Sequence, residues 1–318
     1  MEVYRHVSEF NPKGGSIVTV GTFDGVHIGH RTILDRINDL AKKEGSESVL
    51  LTFWPHPRLI LFPDDNELKL LSTLEERIEL LRQSGIGHLI IHPFSLDFSR
   101  ITAVEYVRDI LVRELNVSKL VIGYDHHFGR NREGNLEQLR DFAPTYDFTV
   151  EEISAQEIDD VNVSSTKIRN ALREGNIALA NDFLGYRYSV TGTIVQGQRV
   201  GRSIGFPTAN VNPSKPFKLI PGVGVYTVKA EVGSREFRGM ANLGYRPTVD
   251  ESEERQLEVH LFDFDGDLYG KEITVTFVDR IRDEIKFESL DKLREQLAED
   301  ATVANRYFDD MVDGDFVD

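Results

Sequence analysis

The 318 residues include no cysteine. Disulfides, thiolate catalysis and Cys-ligated zinc or iron–sulfur clusters are therefore excluded, and a reducing, cytoplasmic setting is expected. No run approaches the ~20 apolar residues that a membrane-spanning helix needs. No long apolar stretch follows the opening Met-Glu-Val-Tyr-Arg-His, so no signal peptide is expected either. Positive charge is scarce: 37 Lys and Arg stand against 53 Asp and Glu, for a formal net charge of -16. A field of that sign repels nucleic acid and anionic membrane, so neither is an expected partner. It also repels nucleoside triphosphates, so a phosphate site has to be built locally from amide N–H groups, His, Lys, Arg or metal. Internal repeats and low-complexity segments are lacking too.

What remains is 40% hydrophobic and 28% charged, an ordinary soluble globular composition. It is also compatible with a homo-oligomer. The length suggests two domains of ~150 residues. In the first half, short apolar runs at 16–20, 48–53, 88–92 and 119–123 alternate with helical patterns at 28–43, 74–83 and 103–115. That alternation predicts an α/β domain with a parallel sheet covered by helices. Ligands in such sheets sit beyond the C-terminal ends of the strands. From about Tyr186 the pattern becomes β-rich, at 188–196, 224–232, 236–242, 256–262 and 272–278, with Gly and Pro between the runs. A small antiparallel sheet or closed barrel follows, with an amphipathic closing helix at 290–308. The expected domains are 1–185 and 186–318, the segment 164–185 being a helical linker.

Two places carry chemistry. Gly21-Thr-Phe-Asp-Gly-Val-His-Ile-Gly-His30 follows the first strand and opens the first helix. Its glycines allow a tight turn, and the helix mouth offers N–H groups and a positive dipole end. His27 and His30, three apart, share one helical face. Ser164-Ser-Thr-Lys-Ile-Arg169 stands before another apolar helical pattern. By itself it is an ordinary N-cap with solvated cations; paired with His-x-Gly-His it suggests a cationic loop that closes on a triphosphate. In the β-rich half, Gly197, Gly201 and Gly205 fit a loop whose amides cover phosphates. It lacks the Gly-Lys-Ser/Thr ending of a Walker loop. Thr208 and Asn210, two apart on extended chain, point to one face and offer hard oxygen ligands suited to Mg²⁺. Glu258 alternates with Leu257 and Val259, so it faces away from them.

The first set resembles the nucleotidylyltransferase superfamily. With Thr52-Phe-Trp-Pro-His-Pro57 and Gly123-Tyr-Asp-His-His-Phe-Gly-Arg-Asn-Arg-Glu-Gly134 it looks like the adenylyltransferase module of the bifunctional riboflavin kinase/FAD synthetase family. One departure is His126, where that family often has an aromatic. The second set, with Gly224-Val-Tyr226, Asn242-Leu-Gly-Tyr-Arg-Pro-Thr248 and Asp267-Leu-Tyr-Gly270, resembles the family's riboflavin kinase module. The resemblance implies a Rossmann-like N-terminal domain and a six-stranded riboflavin kinase-like barrel. It implies that riboflavin becomes FMN and then FAD, with ATP used twice and Mg²⁺ as the metal. Gly21, Phe23, Asp24, Gly25, His27, His30, Ser164, Ser165, Thr166 and Arg169 would bind one ATP, with His27, His30 and Arg169 stabilising the reacting phosphates. Gly197, Gly201, Gly205, Thr208 and Asn210 would bind the other, with Thr208 and Asn210 on the metal and Glu258 as base. Pro55, His56, Pro57, Asp125, Phe128, Arg246 and Glu258 would bind flavin, although Asp125 and Phe128 could wall either the flavin or the adenine side. The alternatives are one inactive module, a flavin-binding protein without turnover, and an aminoacyl-tRNA-synthetase-like enzyme. The acidic balance and the lack of a Lys-Met-Ser-Lys-Ser string argue against the last.

Overall fold

The structure, a computed structural model, describes residues 1–64, 68–123, 126–153, 163–197, 201, 204–245 and 255–310. The chain divides into two compact units, Met1–Ser165 and Thr166–Asp318.

The first unit is built on strands β1 (Glu2–Tyr4), β2 (Ser16–Val20), β3 (Glu47–Trp54), β4 (His88–Pro93), β5 (Val117–Gly123) and β6 (Thr149–Ile153). They form one sheet in the order β1-β4-β3-β2-β5-β6, parallel throughout. The apolar runs read as buried strands are buried on both faces. Val18, Val49, Leu51 and Leu120 join one core, and Ile17, Leu50, Leu89 and Val121 the other. Helix α1 (Ile28–Glu44) buries Leu34, Ile37, Leu40 and Ala41 and stops at Gly45, whose φ of 64° suits glycine. Helix α2 is the short Pro57–Leu61. Helix α3 (Leu74–Gln83) starts in a Thr73–Glu76 capping box. Helix α4 begins at Ala103–Glu105 and continues as a π-wound stretch over Tyr106–Glu114. Helix α5 is Leu136–Tyr146.

The strand order fixes where a ligand can sit. From β2 the chain winds outward through β3 and β4, then returns past β2 to lay down β5 and β6. The direction reverses between β2 and β5, and the crevice beyond the C-terminal ends of those strands is the binding position of such sheets. Three of the motifs emerge at C-terminal ends of the neighbours β3, β2 and β5: Pro55–Pro57, Gly21–His30 and the segment after Gly123.

The second unit opens with helices α6 (Ser165–Arg173, from its second residue) and α7 (Ile177–Leu184). Strands β7 (Ser189–Val195), β8 (Ala209–Pro213), β9 (Gly224–Val232), β10 (Arg235–Tyr245), β11 (Arg255–Leu261) and β12 (Glu272–Arg282) close an antiparallel barrel, β10-β11-β8-β7-β12-β9. The helices expected as a linker pack onto this barrel. Gly222 N–H donates to Leu172 O at 2.7 Å, and Asn181 Nδ2 donates to Phe277 O at 3.1 Å. The closing helix is α8 (Leu290–Asp310). It is fastened by a two-pronged ion pair: Arg282 Nε and Nη2 donate to Asp300 at 2.9 and 2.7 Å. Asp300 is 1% exposed and also accepts from Gln296 Nε2 at 3.1 Å. Asp300→Ala strands the guanidinium and is expected to cost about 3 kcal/mol, the low end for breaking a buried pair because Arg282 is partly exposed. Urea unfolding of the variant measures it.

Candidate active sites

At the first site, His27 is the N-cap of α1. Its Nδ1 accepts the His30 N–H at 3.3 Å, which assigns the ring proton to Nε2 when the imidazole is neutral. The two imidazoles stack, with centroids 3.6 Å apart and planes 16° from parallel, and the Phe23 ring lies 4.6 Å beyond His30. His27 is buried and His30 half-buried. A helix mouth and two adjacent imidazoles offer donors suited to a negatively charged group.

The turn that delivers them is strained. Phe23, Gly25 and the β-branched Val26 all have positive φ, at 47°, 82° and 36°. Asp24 holds that conformation. Its carboxylate accepts from Leu71 N–H at 3.0 Å and from Ser72 N–H and Oγ at 3.0 and 3.1 Å. Gly25 N–H returns a bond to Ser72 Oγ at 3.0 Å, and Arg77 Nη2 lies 3.8 Å from the carboxylate. Asp24 and Arg77 are each 1% exposed. Asp24, grouped from sequence with the ATP contacts, therefore braces the loop from behind. Gly21 lies against the Phe23 ring.

The other residues expected near this site are placed as follows. Ser164 and Ser165 are half-buried, and Ser165 Oγ donates to Asp24 O at 3.2 Å. Thr166 and Arg169 lie on α6, exposed and half-buried, in the second unit. Pro55 is exposed and Pro57 half-buried at the start of α2. The buried His56 caps that helix, accepting Arg58 N–H at 3.2 Å. Phe128 belongs to the core, against Tyr106 at 5.4 Å and Gly134. His126 takes a near-parallel position 6.1 Å from it. Asp125 lies outside the described residues.

At the second site, the strand register brings the chosen residues together. Asn210 on β8 pairs with Glu258 on β11, and Glu258 pairs with Asn242 on β10. Leu257 and Val259 are buried in the barrel while Glu258 is half-buried, so this polar row lies on the outer face of the wall. Thr208 Oγ1 donates to Glu258 Oε2 at 3.1 Å. Thr208, Asn242, Glu258, His260, Arg282 and Leu293 are among the residues lining a cavity of about 260 Å³ on that face. Gln256 Nε2 donates to the oxygen of the buried Asn210 amide. Gly201 backs onto the Phe206 carbonyl and also borders the cavity, and Gly205 has a φ of 86° that favours glycine. Arg246 lies outside the described residues.

Gly197 rests directly on the Asn210 amide, where a Cβ would overlap it. Gly197→Ala is therefore expected to displace Asn210 and lower activity at this site at least ~10-fold, since misplacements near 1 Å cost up to 10²-fold. Chemistry at the first site is expected to stay unchanged. Parallel assays of the two reactions check this.

The FAD synthetase family matches residues 10–167 and the riboflavin kinase family residues 184–308. A bifunctional riboflavin kinase/FMN adenylyltransferase from Escherichia coli (strain K12) is 38% identical over 93% of this chain and 94% of its own. The chain belongs to the bifunctional riboflavin kinase/FMN adenylyltransferase family. A member from Bacillus subtilis (strain 168) is 35% identical over 93% of each chain. A solved structure described as a macrolide-efflux protein, from Streptococcus pneumoniae, covers 96% of this chain and 98% of its own at 33% identity, with a TM-score of 0.86.

For a member of this family, the sequence reading missed several residues. In the kinase module these are Asn242, Gln256, His260 and Arg282, which surround the three polar residues it did select. Asn242 falls inside the string Asn242–Thr248 and His260 stands two residues after Glu258, so a signal existed; Gln256 and Arg282 become neighbours only through pairing. In the adenylyltransferase module, Ser72 and Arg77 were missed because the bond to Asp24 spans about fifty residues of chain.

Proposed function

We propose that this chain phosphorylates riboflavin to FMN and then adenylylates FMN to FAD, each step consuming one ATP at its own site. The observation that carries the reading is the outer-face row of Asn210 and Glu258 with Thr208 bonded to Glu258. A carboxylate and a hydroxyl at the edge of the cavity, with the buried Asn210 amide across the ladder, suit a proton acceptor beside hard oxygen ligands. In the kinase step, the terminal ribityl hydroxyl oxygen attacks the γ-phosphorus, its proton passes to Glu258, the bond to the β–γ bridging oxygen breaks and ADP leaves. Thr208 and Asn210 would hold Mg²⁺, which supplies charge neutralisation at the phosphates. Gly197, Gly201 and Gly205 cover the phosphates.

In the second step, an FMN phosphate oxygen attacks the α-phosphorus of another ATP, the α–β bridge breaks and pyrophosphate leaves. No covalent protein nucleophile is required. His27, His30 and Arg169 stabilise the charge that develops, as preorganised donors worth ~2–4 kcal/mol each. The loop Gly21–Gly25, with Ser164, Ser165 and Thr166, lines the nucleotide position. Pro55–Pro57, Asp125 and Phe128 shape the flavin side, Phe128 from within the core. Arg246 and Glu258 contact flavin at the kinase. The functional division proposed is 1–185 for adenylyl transfer and 186–318 for the kinase, with a cytoplasmic location and neither nucleic acid nor membrane as partner.

Macrolide efflux, the activity in the name of the Streptococcus pneumoniae relative, is the less favoured reading. The polar row of Asn210 and Glu258, with Thr208 bonded to Glu258, favours phosphate chemistry instead. The test is a product assay. Purified chain, riboflavin and Mg-ATP are expected to give FMN first and FAD later on chromatography, and chelating the divalent ion is expected to stop both. FMN without FAD in excess ATP would mean one working module; flavin binding without ATP turnover would remove the proposal.

A further inference from the structure

His260 stands two residues beyond Glu258 on β11, so both side chains share the outer face, and both line the cavity. The ladder between β8 and β11 pairs Glu258 with Asn210 and Val259 with Ala209, and ends there. One step further Thr208 would face His260, and the chain then reaches Pro207, which has no N–H with which to continue a ladder. At that point an imidazole replaces the backbone bond: His260 Nδ1 lies 2.8 Å from Pro207 O. A carbonyl oxygen only accepts, so Nδ1 carries the proton. The ring also meets Phe206 and Phe262 edge-on, at 5.3 and 5.7 Å. Burial holds its pKa below the usual imidazole value, against the opposing pull of the Pro207 bond.

Next along the chain, Thr208 Oγ1 donates to Glu258 Oε2. The groups close a small circuit. It runs from the imidazole to the Pro207 carbonyl, through Thr208 to the Glu258 carboxylate, and back along β11. Nothing else at this end of the ladder fixes Pro207 and Thr208 to β11 by hydrogen bonds among the described residues.

We propose that His260 is a positioning residue of the kinase site: its Nδ1–H pins Pro207 to β11 and so sets the Thr208 hydroxyl against Glu258. The proposal rests on the reading of Thr208 and Glu258 as the phosphoryl-transfer centre. The imidazole touches no reacting atom in this role. Its loss separates the hydroxyl expected to hold the metal from the carboxylate expected to take the proton, so both turnover and the divalent-ion requirement change.

The experiment compares His260→Asn, His260→Gln and His260→Ala in the full chain. An Asn amide places its N–H near the position of Nδ1, and a Gln amide reaches instead toward Nε2. Kinase kcat, KM for Mg-ATP and the half-saturating Mg²⁺ concentration are measured, with adenylylation of added FMN as the internal control. His260→Gln and His260→Ala are expected to lower kinase kcat roughly 10–100-fold, the scale of a displacement near 1 Å, and to raise the Mg²⁺ requirement. His260→Asn is expected to restore most of the loss, and FMN adenylylation is expected to hold in all three. Rescue by Gln and not Asn would transfer the role to Nε2 and overturn the proposal. So would equal loss in all three variants, or wild-type behaviour in His260→Ala. Should His260→Ala fail to fold, the Asn and Gln variants alone decide. Failure of the underlying site reading has a different signature: Glu258→Gln would then keep its kinase activity, whatever the Asn and Gln variants of His260 do.

Discussion

Glu258→Gln is expected to lower riboflavin phosphorylation about 10³-fold, within the 10²–10⁴ range for a positioned general base, while adenylylation of added FMN continues at the wild-type rate. The substitution is close to isosteric. The amide oxygen of Gln can still accept the Thr208 hydroxyl, which donates to Glu258 at 3.1 Å. The cross-strand neighbours Asn210 and Asn242 keep their register, because it is set by the backbone. What disappears is a negative oxygen able to take the ribityl proton. Loss of rate without loss of stability thus isolates the proton transfer. The measurement is a pair of chromatographic assays, riboflavin to FMN and FMN to FAD, each at saturating ATP. If both fall together, the two reactions share a site; if neither falls, Glu258 is not the base. Thr208→Val provides the complementary case. It keeps the carboxylate and removes the hydroxyl, so it is expected to raise the divalent-ion requirement rather than abolish turnover at high ion concentration.

Much of this arrangement could be read in one dimension, and the parts that could not share a cause. Strands such as Ser16–Val20 and Gly224–Val232 announced themselves as apolar or alternating runs bounded by turns. The short β1 did not. Nor did β6, Thr-Val-Glu-Glu-Ile, whose glutamates lie at the sheet edge and pair with Arg36 and Arg140. Nor did β8, only five residues with two asparagines and a closing proline. Because β8 was read only as extended chain, its pairing with β11 could not be anticipated, although that pairing is what sets Asn210 beside Glu258. The alternation of Glu258 with Leu257 and Val259 was legible and points outward, as found. Asp24 and Phe128 show the converse limit. Both stand in ligand-like strings, but a carboxylate satisfied by Leu71 and Ser72 and a ring sunk among Tyr106 and Gly134 act on the site through the protein. Local sequence names residue types near a ligand; long-range packing decides which of them turn toward it.

At the other site, His30→Ala is expected to reduce FMN adenylylation by 10²–10³, roughly the cost of one preorganised donor to a developing negative charge, with riboflavin phosphorylation unchanged. The two imidazoles call for different variants because they do different structural work. His30 projects from the first turn of α1, stacked between Phe23 and His27. Its truncation removes a donor and a stacking partner and leaves the bond from the His30 N–H to His27 in place. His27 is also the helix cap. Alanine there would add the loss of that cap, about 1 kcal/mol, to any loss of catalysis. His27→Asn separates the two. Asparagine is among the best N-caps and can accept the His30 N–H in place of Nδ1, but it has no counterpart to Nε2–H. If the imidazole serves phosphate, His27→Asn melts like the wild type and still loses adenylyl transfer, with kcat falling more than KM for ATP rises. If it serves only to cap the helix, the asparagine variant is fully active. Unchanged adenylylation in His30→Ala, or an equal fall in FMN production, would break the link between the stacked pair and the α-phosphorus. The double variant adds a further constraint. Because the rings are in contact at 3.6 Å, their effects are expected to combine less than additively, so the double variant is expected to be little worse than the weaker of the two single variants.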